Sequence, residues 1–147
     1  IDATDISQNA LKIAGRNEEL ITKSTDINWV DTNLIEDIED LSNESILTAN
    51  LPYIPTAQYL NLDTSVTYYE PREALDGGKD GLKLYRDLFE MMNKKNYYPK
   101  YLFIETEESI YEKTYTLIKE FFKVSEITKQ KDCFERDRFL IVKTPTL

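Results

Sequence analysis

The chain has 147 residues, enough to bury one core, and its 41% hydrophobic and 12% aromatic content is that of a globular protein, not a disordered one. A net charge of −9, from 27 acidic against 18 basic residues with no basic cluster, argues against a protein that grips long nucleic acid through its phosphates. One cysteine, Cys133, permits no internal disulfide, and the absence of histidine excludes the usual His/Cys metal sites and His-based catalytic triads.

No apolar run approaches the length of a membrane span and no charged-then-apolar segment opens the chain, so it reads as cytoplasmic. Residues 1 to 147 read as one domain. Ile1 to Asp5 reads as the tail of a buried strand, and Ser7 as the N-cap of a helix whose apolar face carries Ala10, Leu11 and Ala14. Asp5 thereby stands at a strand's carboxyl end, where open α/β sheets hold their ligands. A capping carboxylate at the helix start is its alternative role. Ile27 to Val30 gives a second short strand, running into Asp31-Thr32-Asn33-Leu34. From Ile35 to Leu41, apolar residues fall at helical spacing between solvated carboxylates that carry no assigned chemistry.

The short apolar run Ile46-Leu47-Thr48-Ala49 leads into Asn50-Leu51-Pro52-Tyr53-Ile54-Pro55. Each proline restricts itself and the residue before it, so this loop is stiff and extended. The Asn50 side-chain oxygen and the Leu51 carbonyl can each accept a hydrogen of a planar NH2 group, and Tyr53 can cover its face. A proline-rich turn that merely ends a strand is the competing reading. Residues 56 to 78 hold no long periodic segment and read as a long active-site loop. Gly77, Gly78 and Gly81 follow no strand-like run, so they read as turn formers in preference to a phosphate-binding loop.

From Lys79 to Lys94, Leu82, Tyr85, Phe89 and Met92 with Leu84, Leu88 and Met91 mark an amphipathic helix. Tyr101 to Glu105 is a buried strand, and Ile110, Thr114, Leu117, Ile118 and Phe121 mark another helix. These aromatic stripes are core. Lys123 to Thr128 and Arg138 to Lys143 read as an antiparallel hairpin at a sheet edge.

The loop at Asn50 resembles the Asn-Pro-Pro-Tyr motif of S-adenosylmethionine-dependent amino-methyltransferases, with Leu51 in place of the first proline. Three further stretches narrow the likeness. They are Asp5-Ile6-Ser7 with Ala10, Leu11, Ala14 and Asn17; Tyr69 through Gly78 with Asp80-Gly81-Leu82 and Tyr85-Arg86; and Lys131-Asp132 with Arg136-Asp137-Arg138. Together they are similar to the HemK/PrmC-type methyltransferases that modify a glutamine of peptide-chain release factors. The Glu70-Pro71-Arg72-x-Ala74-Leu75-x-Gly77-Gly78 stretch is the more specific part.

The resemblance implies an α/β, class I S-adenosylmethionine-dependent methyltransferase sheet, Rossmann-like, with a C-terminal antiparallel hairpin. It also implies that the first strand, which would be central, and its glycine-rich loop are missing. The chain would then be the C-terminal portion of a catalytic domain, with an N-terminal helical substrate domain also absent. Asp5 would bind the cofactor ribose, and Asn33 the adenine amine, where the family usually has an acidic residue; Asp31 serves if the register slips by two residues. Asn50 would serve cofactor and substrate alike. Asn50, Leu51, Pro52 and Tyr53 would form the catalytic loop, and Tyr53, Glu70, Pro71 and Arg72 would lie near the substrate, a release-factor loop bearing glutamine. Leu51 keeps the carbonyl acceptor but frees its φ, which weakens catalysis without changing the reaction. Two other readings stand beside this one: a nucleic-acid adenine amino-methyltransferase, and a degenerate, non-catalytic relative that binds a partner.

Overall fold

A computed structural model of the chain describes residues 1–22 and 26–145. Read from the sequence as one domain, these residues divide into two compact units, Ile1–Leu41 and Ser42–Leu147. In the first, β1 (Asp2–Asp5), α1 (Gln8–Thr22) and β2 (Asn28–Asp31) make a β-α-β unit. Its strands pair in parallel, with Asp5 beside Asp31. Ser7 caps α1 as expected: its Oγ accepts from the Ala10 N–H at 3.3 Å and its carbonyl from Leu11 N–H at 3.0 Å. The expectation of a buried first strand is not met. Asp2, Thr4 and Asp5 are exposed, Ala10 is exposed, and Leu11 and Ala14 are half-buried. β2 is the only strand paired with β1 among the described residues, so one edge and much of both faces of β1 stay open.

The helix suggested by the spacing in residues 35–41 does not form. Leu34 takes a left-handed φ of 55°, which ends β2 in a turn through Asp37. Ile35 and Ile38 are buried all the same, because one turn brings both to the same side.

The second unit is built on a mixed sheet ordered β3 (Ile46–Ala49), β4 (Tyr101–Glu105), β6 (Asp137–Lys143), β5 (Glu126–Lys131). β3 and β4 are parallel, β6 runs antiparallel to both β4 and β5, and the β5–β6 hairpin forms the sheet edge as its two strand-like runs suggest. β5 starts at Glu126, not Lys123, because residues 123–125 turn to leave α5. Helices α4 (Lys83–Lys94) and α5 (Tyr111–Phe121) supply the core with Tyr85, Phe89, Met92 and Ile118, which close against Leu102, Ile104, Leu140 and Val142, all at most 1% exposed. Along β4 and β6 fully buried positions (Leu102, Ile104, Leu140, Val142) alternate with less buried ones (Tyr101, Phe103, Phe139, Ile141) that are themselves aromatic or aliphatic, so one face is sealed by helices and the other is apolar but more open.

Residues 56–78 are more ordered than the loop expected there. They hold α2 (Thr56–Tyr59), α3 (Thr64–Tyr69) and a single 3₁₀ turn at Arg72–Ala74. None is long enough to display a helical period, so pattern reading misses them, although Asp63 caps α3 by accepting from Ser65 N–H at 2.7 Å. α4 begins at Lys83, four residues later than the spacing suggests. Gly78 and Gly81 hold φ values of 85° and 79°, which a helix cannot accommodate.

Candidate active site

The loop Asn50–Pro55 leaves the carboxyl end of β3. Asn50 is exposed, and none of the hydrogen bonds among the described residues engages its amide. Behind it the loop is fastened from several sides. Ile54 N–H donates to the Leu75 carbonyl at 3.0 Å, Gly77 N–H to the Ile54 carbonyl at 2.8 Å, and Thr56 N–H to the Gly78 carbonyl at 2.8 Å. A segment twenty residues on thus staples the loop through its backbone.

The glycines of that segment do two different things. Gly78 and Gly81 supply the positive φ of a turn, as their sequence context indicates. Gly77 serves close approach: a Cβ there would stand 2.6 Å from the Pro52 carbonyl oxygen and 2.8 Å from Tyr53 Cα. A Cβ on Gly81 would collide with the Tyr53 carbonyl oxygen. Backbone lies on backbone here, and only glycine fits.

Asp76 ties the same assembly together electrostatically. Its Oδ1 accepts from Thr56 Oγ1 at 2.7 Å and from Gly78 N–H at 3.0 Å, and its Oδ2 accepts from Arg72 Nε at 2.9 Å and Nη2 at 2.7 Å. The Thr56 hydroxyl and then the Arg72 guanidinium hold the carboxyl below its ordinary range. Glu70, Pro71 and Arg72 are all exposed; Arg72 also lies over the Tyr59 ring at 5.3 Å. Arg72 therefore pairs with Asp76 and reaches the loop through it.

Two side chains beneath the loop, Tyr85, which the sequence assigns to the core, and Arg138, which it offers only as part of the family likeness, had no site role there. Tyr85, fully buried on α4, donates to the Glu105 carbonyl at the end of β4, and its hydroxyl lies 3.5 Å from the Leu51 carbonyl. Burial raises its hydroxyl well above the ordinary tyrosine range, so it stays protonated. The Leu51 carbonyl has two lone pairs, so it can accept from a substrate whichever of the two carbonyls takes the Tyr85 hydrogen. Arg138 on β6 donates from Nη1 to the Tyr53 hydroxyl at 3.3 Å and to the Thr106 carbonyl at 3.2 Å. No local motif announces this contact, which joins residues 85 apart.

In the first unit, Asp5 stands at the carboxyl end of β1, exposed, in register with Asp31 of β2. Its Oδ1 accepts from Ser7 N–H at 2.7 Å, the capping contact that was the alternative role; Asp31 Oδ2 accepts from Gln8 Nε2 at 2.7 Å. Asn33 is exposed in the turn after β2, and its carbonyl accepts from Glu36 N–H at 3.0 Å. No group of three or more carboxylates or thiols able to hold a metal occurs among the described residues.

A parallel β-α-β unit, and a sheet with an Asn-Leu-Pro-Tyr loop after one of its parallel strands and an antiparallel edge hairpin, fit the class I S-adenosylmethionine-dependent methyltransferase fold. Two solved structures have this fold: the ribosomal protein L11 methylase of Lactobacillus delbrueckii subsp. bulgaricus, and the Mtq2–Trm112 complex of E. cuniculi. The first is 15% identical and aligns over 99% of this chain and 57% of its own, with a TM-score of 0.64. The second is also 15% identical and aligns over 97% of this chain and 70% of its own, with a TM-score of 0.56. No family model matches the sequence. Among curated relatives, the release factor glutamine methyltransferase of Thermosynechococcus vestitus is 30% identical over 146 residues, 99% of this chain and 50% of that protein. The chain is similar to the release factor glutamine methyltransferases, and spans about half the length of that relative.

Proposed function

We propose that the protein methylates the side-chain amide nitrogen of a glutamine in a peptide-chain release factor. The observation that carries this reading is the Asn50–Tyr53 loop: an unengaged amide oxygen and a main-chain carbonyl held on a backbone staple that only glycines permit. The relationship to the release factor glutamine methyltransferases supports the substrate class, and the Mtq2–Trm112 complex, responsible for methylating the termination factor eRF1, supports a termination factor as partner.

An amide nitrogen is a poor nucleophile because its lone pair is delocalised into the carbonyl. The Asn50 oxygen and the Leu51 carbonyl each accept one of its hydrogens, which orients the nitrogen and returns electron density to it as the new bond forms. Tyr53 covers the flat face of the amide, and Pro52 and Pro55 hold the loop so that little reorganisation is needed. The nitrogen that accepts the methyl group gains positive charge, which the two acceptors stabilise through its hydrogens, and its surplus proton passes to solvent water because neither acceptor is a base.

The residues present fit S-adenosylmethionine. Carboxylates at the ends of neighbouring parallel strands, Asp5 and Asp31, offer only acceptors, which suits the two hydroxyl donors of a ribose. Asp5 would hold that ribose through the oxygen not used in capping, and the Asn33 side-chain oxygen would accept from the adenine amine. When bound, the sulfonium cofactor supplies the activated methyl group. Glu70, Pro71 and Arg72 flank the acceptor loop and would meet the substrate protein. No helix among the described residues is long and apolar enough to cross a membrane, and a partner in translation termination would place the protein in the cytoplasm.

Labelled methyl transfer from S-adenosylmethionine to a release factor tests this. Label on the wild-type factor, none on a factor whose acceptor glutamine is replaced, and a loss of about 100-fold or more with Asn50→Ala are expected. Label that instead enters adenine-containing nucleic acid would replace this reading with the adenine amino-methyltransferase.

A further inference from the structure

We propose that Arg138 is a positioning residue for methyl transfer, acting through the Tyr53 hydroxyl; the proposal rests on the function given above. Phe139 of β6 pairs with Glu105 of β4, so Arg138 lies just beyond the carboxyl end of β4, level with the loop that leaves β3. Its guanidinium is fixed at three points. Nη1 donates to the Thr106 carbonyl at 3.2 Å and to the Tyr53 hydroxyl at 3.3 Å, and Nε lies 3.7 Å from Asp132 Oδ2. Each anchor is itself fixed. Thr106 is fully buried and its N–H donates to the Arg138 carbonyl at 2.9 Å. Asp132, 13% exposed at its side chain, accepts from Phe134 N–H at 2.8 Å and Arg136 N–H at 3.0 Å in the hairpin turn.

A planar fork held in this way loses most of its rotamer freedom, and the phenol it grips shares the constraint. Tyr53 is half-buried and has no other described side-chain hydrogen bond. Without Arg138 its ring is held only by packing, and the face that covers the acceptor amide swings. The fork matters more than the charge. Nη1 serves the Thr106 carbonyl and the phenol while Nε faces Asp132 Oδ2, so a lysine keeps the charge but its one nitrogen cannot meet all three partners in this arrangement. The hairpin turn thus contributes to the site through a chain of contacts from Asp132 to Arg138 to Tyr53.

The test is a double-mutant cycle in steady-state methyl transfer to a release factor, joined to carbon-13 NMR of the tyrosine Cζ atoms. Arg138→Met and Tyr53→Phe should each lower kcat about tenfold with KM for S-adenosylmethionine unchanged, and the double variant should fall little further. Arg138→Lys should recover less than half of the loss. The Cζ resonance of Tyr53 should move in Arg138→Met while the other tyrosines keep theirs, which also establishes that the variant is folded. Additive losses, full recovery with lysine, or a stationary Tyr53 resonance in a folded variant would each overturn the proposal. A wild type that methylates no glutamine would instead sink the proposed function, and the NMR arm would still decide whether Arg138 holds Tyr53.

Discussion

In residues 1–41 the helix is tied to its sheet by a carboxylate; in residues 42–147 the helices are sealed to theirs by hydrocarbon. Glu18 on α1, 7% exposed, accepts from Ile27 N–H at 2.9 Å and from Trp29 Nε1 at 2.8 Å, while Ile13, Leu20 and Ile21 of the same helix are 58%, 78% and 80% exposed. A two-stranded sheet under one helix buries too little apolar surface to be strongly stable by itself. The second unit closes aromatic and aliphatic side chains over a four-stranded sheet. The proposed chemistry follows the same division. Asp5 and Asn33, proposed to hold the cofactor, stand on the thinly packed unit, and the acceptor loop stands on the densely packed one. Rigidity is therefore concentrated where a weak nucleophile has to be oriented.

The largest expected effect breaks the staple behind the loop. Gly77→Ala places a Cβ against the Pro52 carbonyl oxygen and Tyr53 Cα, backbone atoms that cannot step aside without moving the loop. A loss of about 1–3 kcal/mol in urea unfolding is expected, together with reduced methyl transfer. An alanine variant of unchanged stability and turnover would mean that the close approach does not matter. A smaller effect is expected from Tyr85→Phe. It leaves the half-buried Glu105 carbonyl without its donor and removes the hydroxyl beside Leu51, at a cost of about 1 kcal/mol, since the ring keeps its packing. Thermal unfolding measures it.

The smallest effect is an acid one. Thr56 and Arg72 hold the Asp76 carboxyl below its ordinary range, the Arg86 guanidinium does so for Asp80, and the Arg136 backbone N–H for Asp132. Because the folded values are depressed, the stabilisation is fully present above about pH 4 and is lost as pH falls through them. Denaturant midpoints should drop below that pH, and the drop should shrink in Asp76→Asn. No acid dependence would remove these carboxylates from the account.

What was legible in the sequence was local. The proline-bounded loop, the strands at Ile46–Ala49 and Tyr101–Glu105, the apolar stripes of α4 and α5 and the closing hairpin all announce themselves by spacing or by restricted backbone. Four things were not. Gly77 looks like a turn residue beside Gly78, and only the fold brings the Pro52 carbonyl against it. α2 and α3 are shorter than any period that could reveal them. Arg138 meets Tyr53 across 85 residues, so its role depends on sheet order, which no short motif encodes. Ile35 to Leu41 carries a helical spacing that one left-handed residue, Leu34, overrides.

Native-state hydrogen exchange tests the contrast between the two units most directly. The account predicts that Ile54, Thr56, Gly77 and Lys83 amides, which carry the staple, exchange as slowly as those of β4 and β6, while the β1 and β2 amides exchange orders of magnitude faster. Staple amides that exchange as fast as those of β1 would contradict it, since the acceptor loop would then be no more rigid than the unit proposed to hold the cofactor.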